Sequence, residues 1–117
     1  MAFLAGTFLY HCDEFDSFKC FVNLVHDHYF PQFFEGVVSD FRLRIVQFDK
    51  YFNAHLPELF AHFQGLEIDT AVFLTDWLLS LFTKCLTFEV ASRVWDNFLL
   101  EGEVFAFKTG IAFLAYF

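Results

Sequence analysis

The residues best placed for chemistry in this chain are Arg93 and Asp96, on either side of Trp95 in the stretch "ASRVWDNFLLEGE". A cation and a carboxylate three residues apart can hold a substrate or exchange a proton. On a helix the same spacing also makes an ordinary ion pair, and Glu89 to Arg93 adds an i,i+4 pair in the favourable order. Read from spacing alone, the group orients a helix and does no catalysis, because exposed pairs of this kind are common and weak. Trp95 reads as a buried anchor whose indole N–H needs an acceptor. The histidines offer His26 and His28 as an HxH, and His55 and His62 two turns apart with Pro57 between them. A zinc site wants three or four converging ligands, and neither pair supplies them. No metal is therefore expected. The glycines are isolated, so no loop cradles a phosphate, and no GxSxG elbow exists. Asp13, Glu14 and Asp16 sit where a helix begins, and its positive end explains them. The residues alone yield no catalytic site and no cofactor.

The elements that would position these residues read as helices. Phe15, Phe18, Val22 and Val25 form one apolar stripe at helical spacing. Phe41, Ile45, Phe48 and Phe52 form another, with Arg42, Asp49 and Asn53 opposite. Breaks are expected at Pro31, Gly36, Pro57, Gly65 and Gly102. Pro57 suits the first turn of a short helix that Gly65 ends. Asp69 can cap a helix running to about Cys85. Its polar residues Asp69, Asp76, Ser80 and Thr83 share one strip, so it is expected to be central and packed on most sides. A helix from about Thr87 to Glu101 closes at Gly102, and a last one starts at Glu103. Nothing alternates with period two for long, so the fold class is all-α.

Composition narrows the function classes. The 117 residues allow one domain, and 57% hydrophobic content with 21 Phe is unusually apolar. A mean hydropathy of +0.47 raises a membrane-embedded alternative. Yet Asp76, Lys84 and Lys108 interrupt the apolar runs below the ~18–20 residues a span needs, so no transmembrane segment is expected. A net charge of -8 with seven scattered basic residues excludes a nucleic-acid stripe and disfavours anionic lipid. Protein partners remain. Cys12, Cys20 and Cys85 show no CxxC spacing and suit reduced, buried thiols of a cytosolic protein. The apolar start "MAFLAGTFLYHC" lacks a basic n-region and makes a poor signal peptide.

The order of motifs resembles a known family. "FLTDWLLSLFTKCLTFEVASRVWDNFLLEGE" is similar to the later part of TBC domains, the GTPase-activating domains that act on Rab small GTPases. The matching residues are Trp77, Leu81, Phe82, Arg93, Val94, Trp95, Asp96, Phe98, Glu101 and Gly102. "MAFLAGTFLYHCDEFDSFKCFVNLV" resembles two preceding helices of the family, and "LPELFAHF" its L-P-x-L-x-x-H segment. The resemblance covers residues 1–117 as one partial TBC domain. It implies that Trp77, Arg93, Trp95, Asp96 and Gly102 are framework residues, not catalytic ones. It implies a Rab-type partner, and a cytoplasmic protein peripheral to organelle membranes. The family uses an Arg finger from I-x-x-D-x-x-R and a Gln finger from Y-x-Q. No Tyr here precedes Gln by two, and no Asp precedes Arg by three. In the family Y-x-Q-G leads into the helix matched by "MAFLAG", so the expectation is an incomplete, finger-less domain. It arises as a gene fragment, or as a natural short form acting as a non-catalytic binding module. Thr87 stands where the family commonly has Pro and is expected to cap its helix. Uncovered apolar faces are expected to drive self-association.

Overall fold

The computed structural model describes residues 2–34 and 38–116. Among these residues eight helices follow one another: α1 Ala2–His11, α2 Glu14–Val25, α3 Phe30–Phe34, α4 Val38–His55, α5 Pro57–Gly65, α6 Thr70–Ser80, α7 Phe88–Glu101 and α8 Glu103–Tyr116. The all-α class is as expected, with no strand among the described residues. Local chemistry sets several boundaries. Asp13 accepts from the Asp16 amide at 2.8 Å to start α2, and Asp69 accepts from the Ala71 amide at 2.9 Å to start α6. Pro57 opens α5, and Gly65 is its last residue. Pro31 falls in the first turn of α3, where its missing N–H costs nothing, so it opens a helix and does not break one. Gly36 lies outside the described residues.

The helices form a slab of 48 × 32 × 22 Å, its short dimension about two helix diameters. One core runs through it. Leu4 and Phe8 of α1, Phe48 and Phe52 of α4, Leu74 and Leu78 of α6 and Phe98 of α7 are buried together. The predicted stripe of α4 faces this core. Phe52 meets Phe60 and Phe63 edge-on at 5.2 and 5.5 Å, and Phe48 meets Phe107 at 5.7 Å. Gly110 lets α8 approach α4, since a Cβ there would lie 2.9 Å from the Phe48 ring.

Several expectations fail in informative ways. The first half of the α2 stripe faces water: Phe15 and Phe18 are 68% and 67% exposed, while Val22 and Val25 are half-buried. Ser17, Cys20, Phe21 and Leu24 face inward instead, because small Ser17 and Cys20 let α1 and α2 lie close together. The helix from Asp69 stops at Ser80, five residues short of Cys85, and within Thr70–Ser80 only Val72 and Asp76 are exposed, so the expected packing on most sides holds over this shorter length. Ser80, placed by pattern on a polar strip, is buried and donates to the Asp76 carbonyl at 2.9 Å. Thr87 takes the N-cap position of α7 but makes no side-chain cap bond. The cysteines are free yet none is buried, and Cys85 is exposed. Asp49, assigned to the solvent side, is half-buried, and its Oδ1 has no hydrogen-bond partner among the described residues.

Candidate functional site

The site that the family-like residues build is a turn, not a catalytic pocket. After Ser80 the chain enters the left-handed region twice, at Leu81 (φ 45°) and Phe82 (φ 63°). Two bulky residues there are strained. The Leu81 amide donates to the Leu78 carbonyl at 3.3 Å and the Phe82 amide to the Trp77 carbonyl at 2.9 Å, which together make a Schellman closure. Both side chains are fully buried, and Phe82 packs on Trp77 with ring centroids 5.6 Å apart. Competition from side chains helps to end the helix here: Thr83 Oγ1 donates to the Ser80 carbonyl at 2.6 Å.

Two distant aromatics satisfy carbonyls at this helix end. Trp95 Nε1 donates to the Leu81 carbonyl at 3.1 Å, and Tyr29 Oη donates to the Leu78 carbonyl at 2.8 Å. Trp95 also receives the Phe8 ring at 5.0 Å, so α1, α6 and α7 meet on it. Burial pushes the Tyr29 phenol well above its ordinary value, with Glu103 adding to the rise and Arg44 opposing it. The phenol therefore stays protonated as a donor. Trp77 sits half-buried between Phe73 and Phe113, at 4.8 and 5.0 Å.

Gly102 closes α7 at φ 77° and ψ -153°, a region open to glycine alone, and its amide donates to the Phe98 carbonyl at 2.7 Å. The His28 ring packs over it and lies 4.8 Å from Phe98. That placement removes His28 from any shared site with exposed His26. Among the described residues, no three His, Cys, Asp or Glu side chains converge to hold a metal.

Arg93 and Asp96 differ from expectation. Both are exposed on the outer side of α7, and Arg93 pairs with neither Asp96 nor Glu89. In water the gain from pairing does not outweigh the lost rotamer freedom. The well-anchored arginine is Arg44, whose Nε and Nη2 fork onto Glu103 Oε2 and Oε1 at 3.0 and 2.9 Å, with Gln32 Oε1 accepting from Nη1. This clamp joins α3, α4 and the first turn of α8. Glu103 lies 59 residues away in sequence, so no local spacing could reveal it.

A broken helix end held by Tyr29 and Trp95, with a glycine turn closing the next helix, gives Trp77, Trp95 and Gly102 structural contacts that exposed Arg93 and Asp96 do not share. The Rab-GTPase-TBC domain model matches residues 1–117, the full chain. The chain belongs to the Rab-GTPase-TBC domain family. It is 34% identical over 117 residues to drainin of Dictyostelium discoideum, covering 100% of this chain and 27% of that protein. It is 33% identical over 113 residues to the human ecotropic viral integration site 5 protein homolog, covering 97% of this chain and 14% of that protein. TBC1 domain family member 14 of Bos taurus is 33% identical over 117 residues, covering 100% of this chain and 17% of that protein. The TBC chain thus spans 27% or less of the length of these relatives. No solved structure matches it significantly. Among its described residues, no helix is long and apolar enough to cross a membrane.

Proposed function

We propose that this chain is the later, framework part of a Rab-directed GTPase-activating domain and does not itself accelerate GTP hydrolysis. Acceleration of this reaction needs a cation on the transferring phosphate and a group that positions the attacking water. The observation that carries the reading is a family match over residues 1–117 in a sequence that holds neither finger pattern. The arginines of the chain support it. Arg44 is committed to Glu103, and exposed Arg42 and Arg93 stand outside any Asp-x-x-Arg pattern. The partner is a Rab-type small GTPase, met in the cytoplasm or at the surface of organelle membranes.

The test is a graft. A finger-bearing segment from a TBC relative, fused ahead of residue 2, should give a chain that accelerates hydrolysis by a cognate Rab about 10³-fold or more. A well-folded graft that leaves every Rab of a broad panel at its intrinsic rate would contradict the framework reading. It would favour instead a non-catalytic binding module, the reading to which the exposed apolar residues of α1, α2 and α7 point.

A further inference from the structure

We infer that the α1–α7 face is an isologous docking surface for a second copy of this chain. The inference is independent of the finger-less reading and rests on the shape and charge of one face. The rings of Tyr10 of α1 and Phe88 of α7 pack at a tilt with centroids 4.3 Å apart, and both residues are exposed. Together they make a ridge. On one side of it lies a recess of about 390 Å³ between Phe3, Thr7 and Thr83. Open space lies above Gly6, where a Cβ would meet nothing within 4 Å. On the other side lies a second recess of about 570 Å³, bordered by Glu89, Val90 and Arg93. A ridge beside a recess on one face is what a two-fold contact requires, because each copy must offer both the knob and the hole.

Charge points the same way. Glu89 and Arg93 border one recess, carry opposite signs, and form no ion pair within the chain. A two-fold axis through that recess brings Glu89 of each copy to Arg93 of the other. The contact is thus made twice, with no like charges opposed. Phe3, Tyr10, Phe88 and Val90 are exposed and leave about 400 Å² of side-chain area in water, taking ~150–250 Å² for a whole aromatic. A standard interface buries about 800 Å² per partner, so these residues supply about half and the polar rim the remainder. That area fits a reversible dimer in place of an obligate one.

Two charge variants test it, since Glu89 and Arg93 are exposed and their exchange should leave the fold intact. Arg93→Glu puts two acidic groups at the recess, and Glu89→Arg puts two basic ones. In sedimentation equilibrium of the 117-residue chain, the wild type should approach dimer mass with rising concentration and stop there. Each variant alone should dimerise at least about tenfold more weakly, and an equimolar mixture of the two should recover dimer mass, because unlike charges then meet at both contacts. The mixture isolates the intermolecular term, which no change within one helix can imitate. Overturning results are a wild-type monomer at all concentrations, a mass that climbs without limit, variants that dimerise as wild type, or a mixture that stays monomeric.

Discussion

Trp95 carries two kinds of interaction at once, and substitution can separate them. Trp95→Ala removes a buried indole from between α1 and α6 and should cost about 3–5 kcal/mol in chemical denaturation. Trp95→Phe keeps most of the packing but leaves the Leu81 carbonyl without its donor, so it should cost about 1–3 kcal/mol. Arg93→Ala, on the exposed side of the same helix, should stay within about 0.5 kcal/mol of wild type. Equal losses for Trp95→Phe and Arg93→Ala would show that the indole hydrogen bond contributes nothing. Sequence reasoning foresaw that Trp95 is buried and needs an acceptor. It could not name the acceptor, because the Leu81 carbonyl becomes free only when α6 breaks. The same limit hid the Arg44–Glu103 clamp, whose partners meet only in the folded chain.

At the scale of elements, helix ends were more legible than helix faces. Asp13, Asp69, Pro57 and Gly102 mark their boundaries through chemistry confined to a few neighbouring residues. The α2 stripe misled because periodicity finds an apolar face without saying what covers it, and close packing against α1 selected the face with small side chains. The early end of α6 misled because Leu81 and Phe82 are poor left-handed residues by local rule. Their burial overrides that rule, and this yields a contrast to measure. Gly102→Ala should lose about 1–3 kcal/mol, since its backbone lies in a glycine-only region while its Cβ would have room beside His28. Leu81→Gly relieves strain yet empties a core position, and should still lose about 1–3 kcal/mol. Glu67→Gly, left-handed at φ 55° but exposed, should be neutral or stabilising by up to about 1 kcal/mol. Thermal melts of the three variants rank them, and a loss at Glu67 as large as at Leu81 would refute burial as the difference.

For the whole molecule, the fold class and the family signature were both readable from the sequence, because hydrophobic spacing and the ordered motifs extend over all 117 residues. What remained hidden was the surface. Which large apolar residues face water depends on how the helices pack, and the slab leaves Phe15, Phe18, Tyr10 and Leu100 outside. The proposed function sets framework apart from chemistry: Trp77, Trp95 and Gly102 make contacts between helices, while no arginine or glutamine of the chain stands in a finger pattern. That separation has one direct test. Single-turnover GTP hydrolysis by a panel of Rab proteins is measured with and without a large excess of the folded 117-residue chain. An arginine finger contributes about 10³- to 10⁵-fold, so a framework without fingers should leave every Rab at its intrinsic rate. Acceleration of about a hundredfold or more for any one Rab, lost on substitution of Arg42 or Arg93, would contradict the account.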